Sequence, residues 1–543
     1  MLSQTVVRLI SITLFLTALL TNSAAAQTET QHHSGRLDDT NPEAAYTFMM
    51  QAGESVVISA EAAGDNLDTI LALYDPNDKL VSQNDDRNAF SLDSALGYTA
   101  ITGGEYRVTV SRYDYFESGS GGDYNLMIEI GDETVLRQLK ALSKVAFSGP
   151  ERVIDTAHFR IHYTVEGSDA ATNEYAQAVA ETMEEIWHIQ IEQIGWPAPP
   201  DDGEQGGNSR LDVYLMDLMD DTGDGPLGTT KGIGDIGDNP FTQPIEQYAI
   251  SSVMRIENDF SETSQDDRGA IALMRATAAH EFHHAVQHGY DYGDAHLWYH
   301  EATATWMETV TFPKDEDATI YVDYNYHYPE LCFGTASDPN DGMLMYGDWL
   351  FMQSLVDVYG SAIIRQLWER LAVDEGFAAM ENTLRPHEDT IPAALARYRI
   401  QNLVRNYKFA PDFDGATVWL EGRITGTGRS DYTGIQELGA NYVALAVPPG
   451  TYRVQLVNEP SGMLQVWAVG ITGDQASSSL LGRDGVVSTS GSAYTYLVVF
   501  NTAYDDDVND CRFQPYGLDV SATTGVPAPI DRIWDAKYFQ PLK

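Results

Sequence analysis

The sequence predicts a multidomain α+β chain: an N-terminal β-sandwich, a central α+β domain built around one long helix, and a C-terminal β-sandwich. Three observations carry this. Short alternating apolar runs separated by Gly and Asp turns fill residues 33–131. Alanine-rich stretches free of proline dominate the middle of the chain. Strand-like runs with Pro-Gly turns return over 416–525. At 543 residues, three domains are expected rather than one.

Residues 1–26 read as a secretory signal peptide. Arg8 gives the positive start, Leu9 to Leu20 is an apolar run too short to span a bilayer comfortably, and Ala24-Ala25-Ala26 offers a cleavage site near Ala26. The expected product is secreted or periplasmic, without a stable membrane anchor, and a monomer. Two cysteines, Cys332 and Cys511, are equally compatible with a bridge and with two free thiols in an exported chain.

The formal net charge is −48, from 80 acidic and 32 basic residues. Such a surface repels nucleic acid, which requires a basic footprint, and disfavours anionic membranes. The acidity is spread along the chain, as a solubility adaptation would be.

Within 33–131, Ala45-Tyr46-Thr47-Phe48, Val56-Val57-Ile58, Tyr106-Arg107-Val108-Thr109-Val110 and the run from Gly122 to Ile128 read as strands. Leu67-Asp68-Thr69, Leu73-Tyr74-Asp75, Asn84-Asp85-Asp86, Asp93-Ser94 and the turns at Gly104-Glu105-Tyr106 and Gly122-Asp123-Tyr124 make this segment resemble the bacterial pre-peptidase C-terminal domain, a small β-sandwich attached to secreted proteases. Asp68, Asp75, Asp85, Asp86 and Asp93 are candidates for calcium, as hard oxygen ligands in an exported domain. The other reading is acidic turns in an acidic chain. Residues 132–155 form a linker with a short helical segment.

The central domain spans 156–412. His158 to Tyr163, Leu211 to Leu215 and Gln247 to Ile250 read as strands, and Ala170 to Ile194 as a long amphipathic helix. Its most specific feature is His280-Glu281-Phe282-His283-His284, which fits H-E-x-x-H. Histidines four apart share a helix face, so both imidazoles of His280 and His284 can bind one zinc ion. Glu281 between them can act as general base on a water beside the metal.

A catalytic zinc needs a third protein ligand and an open position. His288 lies a full turn too far. Glu301, within Trp298 to Glu308, is the candidate; His300 competes with it. Glu308 lies seven residues later on the same face, available to support a ligand or to meet solvent.

HEFHHAVQHGYD followed by WYHEATATWME resembles the gluzincin zinc metallopeptidases, the clan of thermolysin and the aminopeptidase-N-like enzymes. The likeness is close over about thirty residues and loose over 155–410. It implies a zincin-type catalytic domain whose active-site helix carries H-E-x-x-H, with His280, His284 and Glu301 as zinc ligands and Glu281 as base. The family also stabilises the oxyanion with a Tyr or His, for which Tyr346 is the first choice here; ordinary helix packing is its other reading. Two departures mark a divergent member. The gap to the third ligand is shorter than in thermolysin, and Thr305 stands where thermolysin-like enzymes place an orienting Asp.

Asp348 to Tyr359 and Ser361 to Leu371 read as further helices, and Tyr442 to Val447, Tyr452 to Leu456 and Tyr494 to Phe500 as strands of the second sandwich. The function expected is a secreted zinc metallopeptidase, an endopeptidase by preference, acting on protein or peptide. The alternative is an exported binding or adhesion protein with an inactive metalloprotease-like core.

Overall fold

The computed structural model describes residues 28–543, apart from 39, 65–66, 89, 113–120, 143, 202–204, 220–224, 264–268, 294–295, 316, 338–341, 414 and 509–510. The predicted signal peptide, 1–26, lies outside the described residues. The chain is a mixture of helices and several sheets, divided into two compact units at 145/146.

The first unit holds eight strands among its described residues: β1 Glu29–Leu37, β2 Glu43–Met50, β3 Ser55–Ala62, β4 Thr69–Tyr74, β5 Leu80–Asn84, β6 Ser94–Thr99, β7 Gly104–Arg112 and β8 Gly122–Gly131. They form two four-stranded antiparallel sheets, ordered β1-β8-β3-β6 and β2-β7-β4-β5. Alternation puts Tyr106, Val108 and Val110 of β7, and Tyr124, Leu126 and Ile128 of β8, into one core between the sheets. Asp132 accepts from the Thr134 amide and opens a turn into helix α1, Leu136–Leu142. That helix lies on β6, where Gly97 makes room: a Cβ there would sit 2.9 Å from Leu136 Cδ2.

The second unit begins with β9 Arg152–Asp155 and β10 Phe159–Tyr163, followed by helix α2 Asn173–Trp187 and a π-helical segment, His188–Ile194, where one long helix is expected from sequence. With β11 Leu211–Met216, β12 Gly228–Gly237 and β13 Ala249–Glu257 the strands form a five-stranded sheet, β12-β13-β11-β10-β9. Its three central strands are parallel, and β12 is an antiparallel edge. Helix α3, Ala270–His288, lies on this sheet through Leu273, Met274, Phe282 and Val286, which share a core with Ile161, Val213 and Met254. Alanines at 276, 278, 279 and 285, all buried, leave neighbouring elements little side chain to clear.

The helical layer continues with α4 Trp298–Thr311, α5 Val322–His327, α6 Met343–Gly347, α7 Trp349–Tyr359, α8 Ala362–Leu371, α9 Gly376–Leu384 and α10 Ile391–Val404. Ten more strands close the unit: β14 Leu420–Ile424, β15 Gly428–Ile435, β16 Ala440–Leu445, β17 Thr451–Val457, β18 Leu464–Thr472, β19 Gln475–Gly482, β20 Asp484–Ser488, β21 Tyr494–Asn501, β22 Gln514–Ala522 and β23 Arg532–Asp535. They make a six-stranded sheet, β14-β16-β21-β18-β19-β23, and a four-stranded one, β15-β22-β17-β20.

The six-stranded sheet is buried on both faces. Val443, Leu445, Leu497 and Val499 face the four-stranded sheet, while Tyr442, Ala444, Val498 and Phe500 join the helical core. This explains the unbroken apolar runs of β16 and β21, which a sheet with one wet face would not tolerate. Tyr442 fixes the join by donating to the Arg399 carbonyl of α10 at 2.8 Å. Cys332 and Cys511 form a disulfide, pinning the segment after α5 to the loop before β22. Among the described residues no helix is long and apolar enough to cross a membrane.

Candidate metal centre

Helix α3 carries His280, Glu281 and His284, and their ligating atoms all lie within 4.8 Å of one another. The remaining histidine of the motif, His283, is turned away into the core, with Nδ1 3.1 Å from Gln190 Oε1 and its ring edge-on to Trp196. Helix α4 lies beside α3, and its contacts run in the opposite chain sense: Glu308 meets His280, whereas the His300 carbonyl meets Gln287.

Glu301 projects from the first turn of α4 between the two imidazoles. Its Oε2 is 3.2 Å from Nε2 of His280 and 3.7 Å from Nε2 of His284. The other nitrogen of each ring is tied behind. His280 Nδ1 is 2.7 Å from Glu308 Oε1, and His284 Nδ1 is 2.7 Å from Gln287 Oε1. Gln287, fully buried, donates from Nε2 to the His300 carbonyl at 3.0 Å and so links the two helices. Acceptors at both Nδ1 atoms would keep a proton there when an ion displaces the one at Nε2, leaving Nε2 as the ligand atom.

This donor set can be tested against a metal. Two ligands about 2.0–2.1 Å from a tetrahedral ion stand roughly 3.4 Å apart. The observed 3.2 and 3.7 Å bracket that value, and two imidazoles with one carboxylate are the chemistry zinc takes in open sites. The residues fit the ion.

The electrostatics are those of a buried His280 and a half-buried His284 and Glu301 held by one another. Burial alone would raise the Glu301 carboxyl; the imidazoles of His284 and His280 outweigh it and hold the group well below the usual carboxylate range. Burial likewise opposes a charged His280, yet Glu301 and Glu308 carry its pKa well above the ordinary imidazole value.

Two further elements close over the motif. From α6, Tyr346 stacks on the His280 ring at 5.7 Å and on Tyr321 at 5.1 Å. Burial and then the neighbouring Glu301 charge push its hydroxyl pKa up, so it remains a protonated donor. From β12, Thr230 Oγ1 lies 2.7 Å from Glu281 Oε2. Gly228 permits this approach, because a Cβ there would stand 2.7 Å from both Glu281 Cγ and Thr277 Cγ2.

The structure therefore brings together His280, Glu281, His284, Glu301 and Tyr346. His300 goes elsewhere, its ring edge-on to Trp368 at 4.9 Å. Sequence reasoning missed Thr230 and Gln287. Gln287 could have been found by its place three residues after His284 on the same helix face; no local pattern in the glycine-rich β12 points to Thr230.

The five aspartates of the first unit form no convergent group of metal donors among the described residues. Asp75 Oδ1 accepts from the Asn77 and Lys79 amides, Asp85 from the Asp86 amide, and Asp93 from the Ala62 amide while pairing with Arg87 at 3.1 Å.

Comparison with known proteins places the first unit. Residues 43–112 match the family model of the bacterial pre-peptidase C-terminal domain. The matched residues run from β2 to β7 of the N-terminal sandwich. A similar solved structure is that domain of a collagenase from Bacillus anthracis, 20% identical, covering 18% of this chain and 88% of that one with a TM-score of 0.16. The ZmpB metallopeptidase from Clostridium perfringens is 10% identical, covering 80% of this chain and 91% of that one with a TM-score of 0.24. No curated protein matches the chain.

Proposed function

We propose that the second unit is a zinc metallopeptidase of gluzincin type, exported by the cell and cutting peptide bonds within chains. The observation that supports this is the single Glu301 oxygen poised 3.2 and 3.7 Å from two imidazole Nε2 atoms whose opposite nitrogens are already engaged. His280, His284 and Glu301 would hold the ion. Bound zinc supplies a Lewis acid that brings a water's pKa towards about 7 and polarises a carbonyl.

The chain's own groups do the rest. Glu281, beside the ligands on the same helix, takes the proton from the attacking water and returns it to the leaving amine. Tyr346, a protonated phenol next to His280 and Glu301, donates to the oxygen on which charge develops. β12 is the edge strand of its sheet and lies beside Glu281, and a substrate segment adds to it as a further strand. The C-terminal sheets act as a second sandwich that backs the helical layer. A disulfide across 179 positions fits an oxidising compartment.

The test is metal content by elemental analysis together with cleavage mapping on casein. Wild type should hold one zinc and cut; Glu281→Gln should hold zinc and lose most of the cutting. A wild-type chain that takes up zinc but cuts nothing would leave an exported binding protein with an inactive core. Undiminished cleavage by Glu281→Gln would refute the role of base.

A further inference from the structure

We propose that Thr230 is a positioning residue for Glu281, so that the edge strand, and not the helix alone, sets where the base points. The proposal rests on the metallopeptidase reading above.

Thr230 Oγ1 lies 2.7 Å from Glu281 Oε2 and 2.9 Å from the carbonyl oxygen of the same residue. Ionised carboxylates only accept, so the hydroxyl supplies the proton, and a charged acceptor makes the stronger bond. The hydroxyl has one proton, so the two acceptors share it in a bifurcated contact that refers the carboxylate to the helix backbone. Gly228 bounds the glutamate from the other side: a Cβ at 228 would fall 2.7 Å from Glu281 Cγ and 3.1 Å from Oε1. The two residues sit on one face of β12, and their register is fixed against β13, Gly228 opposite Ile256 and Thr230 opposite Met254. Both partners are fully buried in the core beneath α3, so the strand cannot slide without exposing them.

The consequence is directional. A glutamate side chain has several rotatable bonds, and a base gains rate by being held in one reactive geometry. Thr230 engages Oε2, which leaves Oε1 to take the proton. Because the same strand presents its outer edge for substrate addition, base and substrate backbone are referred to one rigid element.

The experiment compares zinc-loaded wild type, Thr230→Val and Thr230→Ser of the full exported chain. The substrate is a fluorogenic peptide built on a casein site that wild type cuts. Zinc stoichiometry and thermal midpoint are measured beside kcat and KM. Thr230→Val should lower kcat about tenfold to a hundredfold, the range expected for losing a hydrogen bond to a charged group, with KM and zinc stoichiometry unmoved. Thr230→Ser, which keeps the hydroxyl, should recover most of kcat. A Thr230→Val variant with wild-type kcat overturns the proposal, as does a loss that serine fails to rescue or one that tracks loss of zinc or of thermal midpoint. A wild type that cuts no peptide removes the metallopeptidase reading and this inference with it; a cutting wild type indifferent to Thr230→Val removes the inference alone.

Discussion

Glu308 Oε1 lies 2.7 Å from Nδ1 of His280, on the opposite side of the ring from the Nε2 atom that faces Glu301. Both carboxylates come from α4, seven residues apart on one face, so a single helix grips the imidazole front and back. Glu308 is almost fully buried. Substituting it removes a charge that orients the ring and raises its basicity. Glu308→Gln should weaken zinc retention about 10- to 100-fold, the usual effect of losing a partner behind a metal-binding histidine. Competition with a chelator measures this. Zinc affinity equal to wild type would mean that Glu308 only fills space.

Gln287 performs the same task for His284 with a neutral group. Its amide oxygen accepts a hydrogen bond from Nδ1–H and its amide nitrogen donates to the His300 carbonyl, so the side chain cannot rotate without breaking both bonds. Gln287→Leu keeps the volume and loses both. The expected result is a zinc affinity lowered about tenfold, with the thermal midpoint of the zinc-free protein falling too, since α3 and α4 lose a bridge. Unchanged values in both measurements would show that the contact is incidental.

What was legible in the sequence follows from where each signal resides. Helices α3 and α4 could be read because H-E-x-x-H and the alanine-rich flanks are local patterns, and Glu301 followed from the need for a third donor. Strands β16 and β21 announced themselves by apolar runs. Thr230 could not be read: its partner is 51 positions away, and in Gly228-Thr229-Thr230-Lys231-Gly232 the glycines and the lysine dilute the strand preference of the two threonines. The break of the 170–194 helix into a π-helical segment was equally hidden. It places Gln190 where its amide reaches the Ala279 carbonyl, Thr311 and His283 at once, a tertiary demand that no helical periodicity encodes.

The Cys332–Cys511 bridge closes a long loop within the second unit. Restricting so long a loop in the unfolded chain stabilises the folded one by about 2–4 kcal/mol. The double variant Cys332→Ser/Cys511→Ser should therefore denature at a lower guanidinium concentration than wild type, and reducing agent should bring wild type down to match it. Neither cysteine belongs to the donor group of His280, Glu281 and His284, so zinc content should persist. A midpoint indifferent to reduction would show that the bridge adds no constraint.

Asp389 supplies the pH test. Burial works to raise its carboxyl pKa, but the hydrogen bonds from Arg397 and from the Tyr359 hydroxyl prevail and hold it below its ordinary value of 3.8. A carboxyl that is more acidic folded than unfolded binds fewer protons in the native state, so its contribution is complete above the unfolded pKa and disappears as pH falls through the folded one. Asp389→Asn abolishes the charge and should lower the thermal midpoint at pH 7. At pH 3 the aspartate of wild type is losing the same advantage, so the gap between the two proteins should narrow there. A gap that stays constant between pH 7 and pH 3 would place the stabilisation in packing around Tyr359 and not in the ionised carboxylate.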